Sequence, residues 1–424
     1  MPRPSSYLPP RKKKWAGLFL AFCSSFAIAQ DLPQELPPGT IVDASNWESL
    51  KTKTFLGKPL DDLLIEGVKT LIQDHGLRLE LAAPKPISWD DTYKALTAKY
   101  SSQVRFDPKT RNVLGYTAGI PFPDIDPADP NAGDKVIWNA FYAFPSHGGN
   151  SFAGPMWTFL IDGKGGLDKV QKWQFFSLPL VGRLDPPHAL GDGTIAKKEA
   201  IFAVSPQDIR GIGTYTIRYV DGRSDDTWVY IKAVRRARRV AGSAWMDPVG
   251  GADYLLDDIN GFNAHPTWYK SFRYLGKKTI LAFWLHNPPK DASTKEGPLS
   301  YIDVEHPPHW LPKFSWEPVE VHEVEATPPE HHPYGKKILY YSVEHPGVIH
   351  QALFYDKKGK LWKVDLYGVG VAPDEKGRLR MTRYIDFVID LKSAHATVAV
   401  GDGVRSVAIN PDALGPSILE RGSL

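Results

Sequence analysis

The feature that most constrains the fold is a series of strand-like segments that follow one another without helical connections. Apolar, β-branched and aromatic residues dominate five of them, at residues 338–343, 348–355, 361–366, 380–391 and 397–400. His345-Pro346-Gly347 and Asp356-Lys357-Lys358-Gly359 separate the first three, and both are turn-forming sequences. Strands that are joined directly by turns pair antiparallel, so we predict a β-meander within a large antiparallel sheet.

Residues 214–231 predict a β-hairpin of the same kind. Tyr215, Ile217 and Tyr219 alternate with polar residues, which is typical of a half-buried strand. Asp221-Gly222 forms the predicted turn, and residues 227–231 form the partner strand.

Helices are predicted only near the beginning of the chain. One runs from Pro59 to Gly76, and a second has Ser88 as its cap with Asp91 three residues later. From about Val104 onward we predict strands, interrupted by loops rich in Pro and Gly at residues 121–133, 184–193 and 287–298. The predicted fold class is therefore mainly β, with a few helices.

The first 29 residues have the pattern of a cleavable secretory signal peptide. A basic segment precedes the apolar stretch Trp15–Ala27, and Ala27-Ile28-Ala29 is a small-x-small cleavage site. The alternative is an uncut N-terminal anchor. We predict a signal peptide at residues 1–29 and a single β-rich domain with loop insertions at residues 30–424, located in the periplasm or peripheral to the outer membrane.

Composition narrows the function classes. The single cysteine, Cys23, lies within the predicted signal peptide, so the mature chain has no disulfide or thiolate chemistry. The net charge of +3 includes the basic N-terminal segment, so the mature chain is close to neutral. A nearly neutral chain argues against a general nucleic-acid binder. The 13 Trp, 18 Tyr and 19 Phe predict much flat apolar surface for a core or a ligand. No segment of the mature chain approaches the ~20 apolar residues of a membrane-spanning helix.

Motifs for catalysis, cofactors and metals are missing from the sequence. It contains neither a GxSxG nucleophile motif nor a P-loop, and Gly191-Asp192-Gly193 is predicted to be a turn. Adjacent carboxylates at Asp225-Asp226 and Asp257-Asp258 are expected to point to opposite faces of strands. The histidines of one Pro-rich region are expected to be exposed and not to form a metal site; these are His306, His309, His322, His331 and His332. We therefore predict no catalytic residues, metal or cofactor.

One stretch combines aromatic, basic and acidic residues. Trp228 and Tyr230 share one face of the predicted strand. The basic residues that follow are Arg235, Arg236, Arg238 and Arg239, and the acidic ones are Asp253, Asp257 and Asp258. One interpretation is a solvated turn whose charges neutralise each other. The other is a cationic rim beside an aromatic face, suited to an anionic head group or an acidic partner.

The same stretch resembles outer-membrane lipoprotein-sorting proteins. The similar motifs are Trp228-x-Tyr230, the Arg235–Arg239 run, Gly251-x-Asp253 with Asp257-Asp258-Ile259, and Leu275-Gly276-Lys277-Lys278. More narrowly, the chain resembles the exported family known as domain of unknown function 1329. That resemblance rests on the blocks Gly119–Pro123, Ala132-Gly133, Trp138-Asn139, Tyr340-Tyr341 and Leu361–Val364, and it extends from about Leu60 to Leu391.

The resemblance implies a LolA/LolB-like architecture, in which a curved antiparallel sheet forms a half-open barrel that helices close over an apolar cavity. It also implies hydrophobic cargo and a partnership with a resistance-nodulation-division-type membrane transporter. The leading hypothesis is a periplasmic carrier for a lipid or another hydrophobic ligand. Its predicted ligand contacts are Trp138, Tyr142, Trp228, Tyr230, Arg235, Arg236, Arg238, Arg239, Asp253, Asp257 and Asp258. The alternatives are an enzyme that acts on an envelope lipid or an imported hydrophobic compound, and an adaptor without a ligand.

Overall fold

The computed structural model describes residues 34–231, 235–240, 242, 244–286, 288–289 and 297–421. The predicted signal peptide, including Cys23, and most of the predicted loop at residues 287–298 lie outside these ranges. The helices within them are α1 (Trp47–Leu50), α2 (Glu66–His75), α3 (Thr92–Tyr100), α4 (Ala132–Phe141), α5 (Ala143–Gly148) and α6 (Ile418–Arg421). No described helix is long and apolar enough to span a membrane.

Strands are the most abundant secondary structure. In chain order they are β1 (Ile41–Val42), β2 (Thr54–Phe55), β3 (Lys58–Pro59), β4 (Leu79–Leu81), β5 (Arg105–Asp107), β6 (Asn112–Leu114), β7 (Phe152–Asp162), β8 (Gly166–Pro179), β9 (Ile195–Ser205), β10 (Gly213–Tyr219), β11 (Asp226–Ile231), β12 (Arg236–Val240), β13 (Ser271–Ala282), β14 (Ile302–Asp303), β15 (Leu311–Pro312), β16 (Ser315–Thr327), β17 (Lys336–Ser342), β18 (Ile349–Tyr355), β19 (Leu361–Pro373), β20 (Leu379–Asp390), β21 (His395–Val400) and β22 (Arg405–Ser406).

Sixteen strands form one open sheet. Its order is β1-β4-β16-β17-β18-β19-β20-β21-β7-β8-β9-β10-β11-β12, with β13 also paired to β16 and β22 to β7. All of these pairs are antiparallel except β4 with β16. Within the described ranges β12 pairs only with β11, so the sheet does not close on itself. The predicted mainly β fold with a half-open barrel is confirmed.

The predicted hairpin and meander are also confirmed. Tyr215 of β10 lies opposite Trp228 of β11, and β17 to β21 follow one another as antiparallel neighbours. The turn residues and the alternation of apolar and polar residues were sufficient to predict these strands, because both the turns and the strand pairings are local in sequence.

The predicted helices were correct in position but not in extent. α2 begins at Glu66, after a short turn of 3-10 helix at Asp61–Leu63, rather than at Pro59. Gly76 ends it in the left-handed conformation, with a φ of 76°. α3 begins at Thr92, so Asp91 rather than Ser88 occupies the N-cap position.

The prediction of strands from Val104 onward was wrong for residues 132–148, which form α4 and α5. Ala132, Val136 and Ala140 recur at a spacing of four residues, which is the helical signal that the Pro- and Gly-rich surroundings obscured. Short 3-10 turns at Leu256–Gly261 and Pro266–Trp268 also interrupt the strands.

The sheet is covered on both faces around β19 and β20. Leu366 and Phe387 face a core that includes apolar residues from Leu36 to Leu81 in the N-terminal part of the chain. Tyr367 and Val388 face the opposite way, toward a second core formed with α4 and residues 254–272. A strand exposes successive side chains to opposite faces, so two separate layers can pack on the same strands.

Candidate functional site

A cavity lies between the second core face of the sheet and a cover that we define as α4, α5 and residues 260–264, here called the cavity cover. The sheet contributes side chains from β9, β10, β17, β19 and β20, including Val369 and Met381. The cavity cover contributes Phe141, Phe262 and others. Apolar and aromatic side chains therefore form most of the wall, as in sites that bind small molecules.

The cavity is narrow. The empty space between its walls, including the open mouth, is about 780 Å³. Only about 80 Å³ of this space is wide enough to admit the centre of a water molecule. The second value is below the ~300 Å³ at which typical ligand pockets begin. A ligand larger than a few atoms therefore needs more room than the narrow part of the cavity provides.

Three tyrosines line the cavity, and they differ in the bonding of their hydroxyls. Tyr367 donates to Asn260 Oδ1 at 2.7 Å, and Tyr384 donates to Met156 Sδ at 2.7 Å. The hydroxyl of Tyr341 is buried and has no hydrogen-bond partner among the described residues. Burial raises the pKa of Tyr341, so this hydroxyl keeps its proton.

The cations of the cavity wall are each paired with a carboxylate. Lys197 Nζ lies 2.9 Å from Glu199, Arg218 lies 2.8 Å from Asp225, and Arg383 forms an ion pair with Asp402. Burial lowers the pKa of Lys197, although Glu199 acts in the opposite direction. These three pairs have no net formal charge, so this part of the wall is polar but neutral.

His147 of α5 also lines the cavity. Its Nε2 lies 2.9 Å from the carbonyl oxygen of Pro346, which can only accept, so Nε2 carries the proton. Nδ1 is buried without a partner among the described residues. Burial lowers the pKa of His147 to about 4, so the ring is neutral at pH 7 and Nδ1 is a free acceptor.

Asp257 and Asp258 do not point to opposite faces, so that prediction was wrong. They lie in the 3-10 turn Leu256–Gly261 rather than in a strand, and both reach Lys337 Nζ, at 2.8 and 2.9 Å. Tyr269 donates to Asp257 at 2.5 Å and Tyr334 to Asp258 at 2.6 Å. Asp225 precedes β11 and Asp226 begins it, and they pair with different arginines, Arg218 and Arg239 respectively.

We call Asp257, Asp258 and Lys337 with their two tyrosines the acid–lysine cluster. Both carboxylates and the ammonium group are fully buried, and no member lines the cavity. Lys337 also donates to the carbonyl oxygens of Asp257 and Gly261 at 3.1 Å. Burial opposes ionisation of Asp257, but Lys337 holds its pKa below the usual value. The cluster fastens the start of the 260–264 segment to β17, so its role is to position the cavity cover.

A second acidic pair lies on the same sheet face, and the sequence analysis missed it. Asp365 of β19 and Asp386 of β20 are buried on neighbouring strands, and Asp386 lies opposite Tyr367. Burial raises the pKa of Asp386 to about 7, although its hydrogen bond with Asp365 lowers it. Burial and the charge of Asp386 also raise the pKa of Asp365. The available signal was an Asp in the interior of each of two largely apolar strands.

The predicted aromatic contacts do not line the cavity, although Trp138 and Tyr142 pack against Phe141 of its wall. Trp138 and Tyr142 pack with Phe122 in a separate core, where Trp138 Nε1 donates to the carbonyl oxygen of Arg111 at 2.9 Å. Trp228 and Tyr230 share one face of β11, as predicted, but this face packs toward residues 409–419. Ligand contacts by these residues stay a prediction, and none of the four lines the cavity.

The four arginines of the predicted cationic rim lie at the edge strand of the sheet. Arg236, Arg238 and Arg239 belong to β12, and Arg235 precedes it with a φ of 51°. All four side chains are exposed, and Arg239 forms an ion pair with Asp226. Their proposed contact with a head group stays a prediction.

Asp253 is bonded to β21 rather than turned toward the cavity. Its carboxylate lies 2.6 Å from His395 Nδ1 and accepts a hydrogen bond of 2.6 Å from Thr397. The expected exposure of the Pro-rich region's histidines was wrong for His322 and His332, which are buried. Among the residues that the structure describes, no group of three or more His, Cys, Asp or Glu could hold a metal.

The sequence matches one protein family over most of its length. A family model described as protein of unknown function (DUF1329) matches residues 41–412, which confirms the resemblance found from the motifs. No curated protein matches the sequence.

Several solved structures are similar at low identity. A domain described as an outer membrane lipoprotein-sorting protein from Vibrio parahaemolyticus is 15% identical, with 69% of this chain and 100% of that chain covered and a TM-score of 0.47. A DUF1329 family protein from Desulfovibrio piger is 17% identical, with coverages of 65% and 91% and a TM-score of 0.41. A LolA superfamily protein from Nitrosomonas europaea is 18% identical, with coverages of 62% and 89% and a TM-score of 0.34.

Proposed function

We propose that this chain, which belongs to the DUF1329 family, is a periplasmic carrier that holds a small hydrophobic ligand beneath its cavity cover. The supporting observation is the cavity itself, whose wall includes Phe141, Val369 and Met381. Protein interiors are close-packed, and side chains around an unfilled apolar space lose dispersion contacts. A ligand that fills this cavity would therefore restore the missing contacts and stabilise the protein.

Burial of apolar surface would supply the binding energy. A ligand that buries about 200 Å² of apolar surface gains about 5 kcal/mol before the costs of association are subtracted. The polar but neutral pairs around Lys197 and Arg218 add little net charge, so apolar contact dominates.

Ligand entry requires the cavity cover to move away from the sheet. At the turn between β17 and β18, a Cβ atom on Gly347 would lie 2.3 Å from Ala143 Cβ of α5. Gly347 thus permits the close contact that seats α5 on this turn, and we propose that the contact separates when the cavity opens.

The cellular setting of the proposal comes from the sequence. The predicted signal peptide supports export to the periplasm. The exposed arginines of β12 are proposed to meet an anionic head group or a membrane partner, with a resistance-nodulation-division-type transporter as the partner that the family resemblance implies.

The enzyme alternative requires a reactive group that is hydrogen-bonded to a base inside the cavity, and the free Nδ1 of His147 has no such partner among the described residues. Asp253 and Asp257 lie outside its wall, whereas His147 lines it. Within the described part of the wall, no carboxylate, serine or cysteine accompanies this histidine. A base to which no acid or nucleophile is hydrogen-bonded does not favour catalysis, so we propose no second function.

Native mass spectrometry of protein purified from the periplasm tests the carrier proposal. We expect a bound hydrophobic molecule in the wild type and its loss in Val369→Trp, whose indole fills the cavity. Val170→Trp is the matched control, because Val170 is exposed on β8 outside the cavity. Undiminished ligand in Val369→Trp would exclude this cavity as the site. A wild type that stays ligand-free after incubation with lipid extract would favour the adaptor alternative.

A further inference from the structure

Resting on the proposed carrier function, we infer that the cavity selects an uncharged amphiphile that bears a hydroxyl group, and that the Tyr341 hydroxyl determines this selectivity. The inference depends on the polar atoms that the cavity leaves without partners. The expected ligand is a molecule with a compact apolar body and an alcohol group.

Tyr341 differs from the other cavity tyrosines in one respect. The hydroxyls of Tyr367 and Tyr384 are already bonded within the protein, whereas that of Tyr341 is buried and unpartnered among the described residues. A buried polar group without a partner is unfavourable, because it has lost its bonds to water and gained none in return. A ligand oxygen that accepts from Tyr341 would restore the lost bond.

His147 provides the complementary group. His147 lines the same cavity, and its Nδ1 is a buried acceptor without a described partner. A ligand carbonyl could accept from Tyr341 but could not donate to His147. A hydroxyl can do both, so the two unpartnered atoms together favour an alcohol.

The charges of the wall disfavour an anionic ligand. Lys197, Arg218 and Arg383 are each paired with a carboxylate, so none of them offers an uncompensated positive charge to the cavity. A carboxylate ligand would lose its hydration without a free cation to replace it.

Calorimetric titration with naphthalene, naphthol and naphthoate tests the inference on the full mature protein. We expect the wild type to bind naphthol about five- to tenfold more tightly than naphthalene, the range of one buried hydrogen bond, and naphthoate more weakly than naphthol. Tyr341→Phe should abolish the preference for naphthol over naphthalene while retaining naphthalene binding.

Tyr215→Phe is the matched control. Tyr215 is equally buried, lies outside the cavity and donates to the carbonyl oxygen of Leu414 at 3.2 Å. This variant should keep the naphthol preference and lose thermal stability, whereas Tyr341→Phe should have a Tm no lower than that of the wild type.

Four results would overturn the inference. One is equal wild-type affinity for naphthol and naphthalene, which leaves the carrier proposal intact. Another is a preference for naphthol that persists in Tyr341→Phe. A third is a marked fall in the Tm of Tyr341→Phe, since it would show that the hydroxyl is bonded in the ligand-free protein. Absence of binding by all three compounds would overturn the inference and the cavity-based carrier function together.

Discussion

At the scale of single residues, Lys337 compensates the charge of two buried aspartates. Its ammonium group is fully buried and is the shared partner of Asp257 and Asp258. Replacing it with methionine would leave two buried carboxylates without this partner. Losing one member of a buried ion pair typically costs about 3–5 kcal/mol. We expect Lys337→Met to lower the free energy of unfolding by about that amount, measured by urea denaturation.

The preceding residue offers a control for Lys337→Met. Lys336 is partly exposed and lies 3.4 Å from Glu325, so Lys336→Met should change the free energy of unfolding by less than about 1 kcal/mol. Equal effects of the two substitutions would contradict the proposed role of the acid–lysine cluster.

At the scale of elements, the seating of α4 on β13 depends on one glycine. A Cβ atom on Gly133 would lie 2.3 Å from the carbonyl oxygen of Phe272, a backbone atom that cannot turn aside. Gly-to-Ala substitution within a helix normally stabilises by about 1 kcal/mol. Here we expect the steric conflict to prevail, and Gly133→Ala to destabilise by about 1–3 kcal/mol in denaturant unfolding.

Gly415 is the matched position for this substitution. A Cβ atom there would meet nothing within 4 Å, so Gly415→Ala should leave the unfolding midpoint nearly unchanged. A stabilised Gly133→Ala protein would show that α4 can shift away from β13 at little cost. Because α4 forms part of the cavity cover, the same substitution should also weaken ligand binding.

Strands were more predictable than side-chain partnerships. The β10–β11 hairpin and the meander follow from alternation and turn residues that lie close together in the sequence. The contact of Lys337 with Asp257 joins residues from distant segments, and no local pattern indicates it. The adjacent aspartates were misread because the pattern was assumed to be a strand, in which neighbours diverge. Cavity residues such as Tyr341 were missed because burial without a partner is visible only in three dimensions.

At the scale of the whole molecule, buried histidines make stability depend on pH. Burial lowers the pKa of His147 and His322 to about 4, and that of His265, His345 and His350 to about 3. The unfolded chain binds protons at these positions near pH 6.5, whereas the folded chain stays neutral until well below that. Each histidine therefore removes up to about 1.4 kcal/mol of stability per pH unit as the pH falls from about 6 to 4.

The acidic pair acts in the opposite direction. Because the pKa values of Asp365 and Asp386 are raised, the folded state retains their protons and loses stability as the pH rises toward 7. Five histidines outweigh two carboxyls, so urea unfolding should show lower stability at pH 5 than at pH 7. His350→Phe should reduce this slope by about 1.4 kcal/mol per pH unit. A stability that is flat or higher at pH 5 would contradict the assignment of neutral buried histidines.

The contact between the early segment and the late strands affects when the early segment can fold. Apolar residues between Leu36 and Leu81 pack against β19 to β21, and Glu80 of β4 pairs with Ser315 of β16. A chain that crosses a translocation pore amino end first delivers this segment long before the strands that shelter it. Pairing over such separations is slow and leaves apolar surface open in the meantime. If the chain is exported as proposed, we expect the early segment to need a holding chaperone until the last strands arrive.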